Sequence, residues 1–181
     1  WTVDLGWVEA QRLRQGDRVP IHTAGSTSLI HGTLLGDGYA NRNGALVWTH
    51  TEADADWSQA KAEVFAPSWK RRGGPHLSWR KEQTGKIGGY AYHAARQLQC
   101  KVRIGPAWRK RFYTPEGKKL FIPPPDFKAV AIWYGDDGTL SKTAGTRTPK
   151  ICTAGFVGGW RGPLAWAEAL FGVGNVSVYS A

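Results

Sequence analysis

Ile132-Trp133-Tyr134-Gly135-Asp136-Asp137-Gly138-Thr139-Leu140 is an apolar run that ends in an acid-glycine pair. Leu29-Ile30-His31-Gly32-Thr33-Leu34-Leu35-Gly36-Asp37-Gly38-Tyr39, about a hundred residues earlier, closes the same way. In the earlier run Gly32 and Gly36 fall four apart, on one helical stripe; Ala131 and Gly135 do so in the later one. A glycine inside a helix costs about 1 kcal/mol relative to alanine, so a pair of them predicts close approach of another helix. Matching the two ends sets Asp37 against Asp137 and Gly36 against Asp136, which makes an internal repeat of about a hundred residues.

Working outward, Ser26 or Thr27 is placed to cap the first helix, and Pro123-Pro124-Pro125 breaks the chain before the second. Gly44 turns into Ala45–Thr51, a strand rich in β-formers, and Glu52 to Phe65 carries Trp57, Ala60, Lys61 and Val64 at helical spacing. His76 to Ala94 reads as extended, Pro106 to Tyr113 as a short basic helix, Lys150 to Val157 as a strand and Leu164 to Phe171 as a helix. A last strand is expected near Ala181. Gly16-Asp17 predicts a tight turn in the opening segment.

The 181 residues carry a net charge of +10, with 24 Lys and Arg against 14 Asp and Glu. The excess is concentrated: Lys61 to Leu120 holds 15 basic and 3 acidic residues. A basic middle between acidic flanks reads as a docking surface for a polyanion. No window approaches the ~18 uninterrupted apolar residues of a membrane span, so no membrane partner is expected. Cys100 and Cys152 are far apart with no CxxC, and the five histidines show no metal-ligand spacing, which argues against disulfides and zinc and for a reducing, cytoplasmic compartment. There is no methionine, even at position 1, so the chain is expected to be an excised piece of a longer polypeptide.

Leu34-Leu35-Gly36-Asp37-Gly38-Tyr39 together with Ile132-Trp133-Tyr134-Gly135-Asp136-Asp137-Gly138-Thr139-Leu140 resembles the LAGLIDADG homing endonucleases, in their double-motif branch. Gly6-Trp7-Val8-Glu9-Ala10, Leu13 and Gly16-Asp17-Arg18-Val19 look like the end of an intein's N-terminal splicing block. Trp1 is neither Cys nor Ser and no terminal His-Asn is present, so splicing by this chain alone is not expected. The resemblance implies an α/β structure of α+β type with pseudo-two-fold symmetry. Two motif helices pack centrally over two curved antiparallel sheets that form a DNA-binding saddle. It divides the chain into a splicing remnant and linker (1–25), a first repeat (26–125) and a second, shortened repeat (126–181).

The implied activity is site-specific, Mg2+-dependent double-strand cleavage of DNA, bacterial or phage-encoded, with Mn2+ as the substitute ion. Asp37 and Asp137 are its catalytic carboxylates and metal ligands, the carbonyls of Gly36 and Asp136 are further candidate ligands, and Asp136 is alternatively a structural acid at the helix end. Lys119, or its neighbour Lys118, resembles the basic residue that polarises water or stabilises the pentavalent phosphate. Hydrolysing a phosphodiester needs a hard cation, and carboxylates with phosphate oxygens suit magnesium. The single Asp-Gly is among the commonest turns; two of them ending apolar helices in a basic chain favour function. Arg42, Arg80, Lys81, Gln83, Lys142, Arg147 and Lys150 fall in the expected sheets and are candidates for DNA contact. Two alternatives stay open: an inactive DNA- or RNA-binding module (regulator or maturase), and one half of a split nuclease or intein. In the second, a complementary polypeptide supplies the rest of the second repeat.

Overall fold

The structure is a computed structural model that describes residues 26–69, 74–87, 90–94, 96–124, 126–143 and 146–178. The intein-like opening and its Gly16-Asp17 turn lie outside the described residues. Helix α1 (Ser26–Leu35) is followed by the hairpin β1 (Tyr39–Ala40) and β2 (Ala45–Thr51), and helix α2 spans Ala55–Trp69. Strands β3 (His76–Arg80), β4 (Gln83–Ile87), β5 (Tyr90–Ala94) and β6 (Gln97–Arg103) follow, then helix α3 (Ala107–Phe112). Helix α4 (Phe127–Asp137), the hairpin β7 (Gly138–Thr143) and β8 (Thr146–Ile151), and helix α5 (Arg161–Phe171) complete the order. The fold class is mixed helix and antiparallel sheet, as expected. Among the described residues no helix is long and apolar enough to cross a membrane.

Ser26 and Thr27, expected to cap α1, are both helical residues within it. Helix α4 is capped instead by Asp126, whose Oδ1 accepts the backbone N–H of Lys128 and Ala129, both at 3.1 Å. Its Oδ2 accepts from Ser28 Oγ at 2.7 Å, tying the first turns of α1 and α4 together. A Cβ added at Gly32 would fall on the Ala129 carbonyl oxygen and 2.8 Å from Ile132 Cβ; one at Gly36 would fall 2.6 Å from Asp136 Oδ2. The two helices therefore run parallel in intimate contact, and glycine is what permits it. Residue 32 meets residue 132 and residue 36 meets residue 136, the pairing that the matched ends predict. The alternative stripe does not face α1: Ala131 is exposed, and Gly135 lies against the Trp57 ring.

A four-stranded antiparallel sheet has the order β1-β2-β6-β3, and β4-β5 and β7-β8 are separate hairpins. Gly44, at φ +75°, makes the turn into β2. Leu46, Trp48 and His50 of β2 sit opposite Val102, Cys100 and Leu98 of β6, and this face is buried. Helix α2 covers it, with Phe65 stacked on Trp48 at a ring separation of 5.4 Å. The opposite face carries Thr49, Gln97, Gln99, Lys101 and Arg103, continued on β3 by His76, Ser78 and Arg80. A second aromatic cluster, Phe121, Trp133, Phe156 and Trp166, joins α4 and α5 to the segment after α3.

One expectation for the end of the chain fails, and the strand expected near Ala181 falls partly on residues 179–181, outside the described residues. The strand expected over Lys150 to Val157 is Thr146–Ile151, because it pairs residue for residue with β7 (Gly138↔Ile151 to Thr143↔Thr146) and stops where that partner begins. Residues 153–160 turn instead, using Gly158 and Gly159 at positive φ. Between 172 and 178 there is no strand, Gly172 and Gly174 again taking positive φ.

Candidate functional site

The C-terminal ends of α1 and α4 meet, and the negative ends of two parallel helix dipoles give that spot a negative potential before any side chain is counted. Asp37 follows α1 in a turn held by Gly36 N–H on Gly32 O (3.0 Å) and Gly38 N–H on Thr33 O (2.8 Å). Asp136 and Asp137 are the last two residues of α4. Such a concentration of negative charge has to be answered by cations.

Lys61, reaching in from α2, is one. Its Nζ donates to Asp136 Oδ1 at 2.6 Å, and Trp57 Nε1 donates to the same oxygen at 2.7 Å. The Asp136 side chain is wholly buried and that of Lys61 1% exposed, so this is a buried ion pair. Burial pulls the Lys61 ammonium down from its ordinary pKa, and Asp136 pushes back.

Lys119 is the other. Its Nζ donates to Gly36 O at 2.7 Å and caps the end of α1. The backbone of Lys119 bridges both Tyr113 and Phe156, and its carbonyl accepts from Val157 N–H at 2.9 Å, so the side chain leaves from a fixed point. Burial lowers the Lys119 pKa, while Asp137, Asp37 and Asp136 each raise it. Lys118 is exposed, with its backbone N–H on Thr114 Oγ1. Of the two lysines, only Lys119 reaches the acids.

The carboxyls of Asp37 and Asp137 come within hydrogen-bonding reach of each other, and they are not alike. Burial, then the charge of Asp37, pushes Asp137 up to about 6. Asp37 is held below the usual carboxylate range, chiefly by the His50 ring, against its own half-burial. His50 Nε2 lies 3.3 Å from Asp37 Oδ2 and 3.7 Å from Asp136 Oδ1, while Nδ1 is 3.0 Å from Ser58 Oγ. Asp37, His50 and Ser58 thus form a chain, but Ser58 is completely buried and is no nucleophile.

The structure brings Asp37, Asp137, Lys119, Gly36 and Asp136 together. The carbonyl of Gly36 is taken by Lys119, and both bonds to Asp136 Oδ1 come from protein donors. His50, Trp57, Ser58 and Lys61 are the residues that sequence reasoning missed as site residues. Trp57, Ser58 and Lys61 share one helical face, and a lysine among apolar positions there was the available signal.

The candidate DNA contacts scatter. Arg42 lies in the β1–β2 turn and Lys81 between β3 and β4, so neither is in a sheet. Arg80 ends β3 and is exposed; Arg147 is exposed and Lys150 half-buried on β8. Gln83 and Lys142 are strand residues whose side chains lie outside the described set. Lys101 and Arg103, not anticipated, line an open depression of about 370 Å3 with Asn43, Ala45 and Gly74. Cys100 and Cys152 are free thiols; burial pushes Cys100 up to about 12.

Comparison with protein-family models, with curated proteins and with solved structures finds no match to this chain.

Proposed function

We propose that this chain is a site-specific, Mg2+-dependent DNA endonuclease of the LAGLIDADG type, with the pseudo-two-fold saddle that such a protein uses to follow the major groove. One observation carries the reading: acids from the ends of two parallel, glycine-packed helices meet, with the Lys119 ammonium on the Gly36 carbonyl within reach of their charge. The donor set fits a hard cation, because carboxylate oxygens meet at two helix C-termini, where burial and then the charge of Asp37 push Asp137 up to about 6. Mg2+ held by Asp37 and Asp137 would neutralise the scissile phosphate and acidify a bound water.

The chain's own residues divide the remaining work. Asp37, held ionised beside His50, and Asp137, mostly ionised at neutral pH with a pKa of about 6, would be the two ligands. Lys119, fixed through its backbone and capping α1, stands where negative charge develops on phosphate. Asp136 serves the structure, its charge answered by Lys61 and Trp57. The polar sheet face with Gln97, Lys101 and Arg103 supplies hydrogen-bonding and cationic groups suited to base edges and phosphates.

The test is cleavage of a plasmid library carrying randomised targets, with the broken ends sequenced. The expected result is staggered double-strand breaks at one long sequence, dependent on Mg2+ and abolished by Asp37→Asn while DNA binding is largely kept. Tight binding without cutting by the unaltered chain would make it a binding module instead. Loss of binding in Asp37→Asn would make that aspartate structural.

A further inference from the structure

We propose that Asp37, His50 and Asp136 form a site for a divalent transition-metal ion (Mn2+, Co2+ or Zn2+) with the His50 imidazole among its ligands. One ligand atom from each of the three lies within 4.8 Å of the other two. His50 Nε2 is 3.3 Å from Asp37 Oδ2 and 3.7 Å from Asp136 Oδ1. Neighbouring ligands on one ion, at bonds of about 2.1 Å, stand roughly 3 Å apart, a spacing that His50 Nε2 and Asp37 Oδ2 nearly have.

The cluster also holds a buried polar atom with no partner. The Asp136 side chain is 0% exposed, yet its Oδ2 makes no hydrogen bond, while His50 Nε2, in a side chain 5% exposed, is answered by Asp37 at 3.3 Å. An unmet buried polar atom costs about 1–3 kcal/mol, and a cation bound at Asp136 Oδ2 would meet it.

The surrounding bonds suit ligation. Ser58 engages Nδ1 of His50, which leaves Nε2 for a metal and sets the ring's orientation. Trp57 and Lys61 both take Oδ1 of Asp136, which leaves Oδ2. Because the Lys61 ammonium already answers one carboxylate, charge alone holds an ion poorly here, and the imidazole nitrogen decides which ion gains. Mg2+ prefers an all-oxygen octahedron and gains least; imidazole favours the transition metals. The assignment goes beyond the Mg2+ reading: it needs neither DNA nor Asp137, and of the two nuclease acids it uses only Asp37.

The experiment uses the whole chain without DNA, with Co2+ and Mg2+ chlorides as probes, followed by equilibrium dialysis and by the visible absorption of bound Co2+. One Co2+ per chain is expected, with a spectrum of mixed nitrogen and oxygen ligation and tighter binding than Mg2+. His50→Gln should weaken Co2+ binding at least about tenfold and remove the nitrogen signature. Ser58→Ala keeps every ligand atom, provides the test if His50→Gln fails to fold, and is expected to weaken Co2+ by about tenfold. Asp137→Asn should spare the Co2+ site; if it costs Mg2+ binding alone, the two readings part cleanly. Co2+ held no tighter than Mg2+, or a Co2+ affinity indifferent to both His50→Gln and Ser58→Ala, overturns the assignment.

Discussion

Lys61 is a cation almost wholly removed from water, and it stays there because Asp136 is buried opposite it at 2.6 Å. Removing one partner of such a pair leaves the other charge stranded, at a cost of about 3–5 kcal/mol. Lys61→Met is therefore expected to destabilise the fold by that amount in denaturant titration. Adding Asp136→Leu should recover most of it, since an apolar pair of similar volume often replaces a buried ion pair without loss. A double variant no more stable than the single one would mean that the pair matters for more than mutual charge. Asp137 offers a test by pH. Its folded pKa of about 6 stands above the ordinary 3.8, so between those values the folded state holds a proton that the unfolded state has released. Stability from this residue is present at low pH and is lost as pH rises through that window. Asp37, with its pKa depressed, works in the opposite sense and loses its contribution as pH falls through its lowered value. The unaltered chain is expected to lose melting temperature from pH 3.8 to about 6 on this account, and Asp137→Asn should flatten that decline. At this scale the acids were legible in the sequence because each closes an apolar run. His50 and Lys61 were not, because their partner Asp136 lies 75 or more residues away and no local pattern records such a pairing.

Helices make a similar division between local and distant causes. Gly32 was marked by the cost of a glycine in a helix, and the structure spends that freedom on contact with α4. Gly32→Ala would drive a methyl into the backbone at Ala129, which cannot move aside without shifting α4. A loss of about 1–3 kcal/mol or more is expected by thermal or chemical denaturation. Gly155→Ala, where an added Cβ meets nothing within 4 Å, should be close to neutral and serves as the control. Strand β6 shows the reverse case. Gln97-Leu98-Gln99-Cys100-Lys101-Val102-Arg103 alternates polar and apolar residues with period two, yet it escaped notice beside the louder motifs. It is the strand that joins β2 to β3 and so carries the sheet. The misplaced strand near Ile151 has another origin: its bounds are set by pairing with β7, and register is not a local property.

For the whole molecule, the concentration of positive charge between Lys61 and Leu120 could be counted directly, but where it points depends on the pleat. Alternation sends Leu98, Cys100 and Val102 into the core, and it sends Lys101 and Arg103 to the opposite face with Gln97 and Gln99. If that face meets DNA, affinity must fall with salt, since each neutralised phosphate releases counterions and contributes a slope of about −0.9 in log K against log salt. Lys101 is exposed and central on β6, so Lys101→Ala should weaken binding to duplexes of any sequence and reduce the slope by about 0.9. Lys118→Ala provides the comparison, because that lysine is equally cationic but sits on the loop before Lys119, away from the sheet. A slope reduced by Lys118→Ala and untouched by Lys101→Ala would move the docking surface from the sheet to the loop. A flat salt response in the unaltered chain would remove the polyanion altogether, and with it the reason for so basic a face.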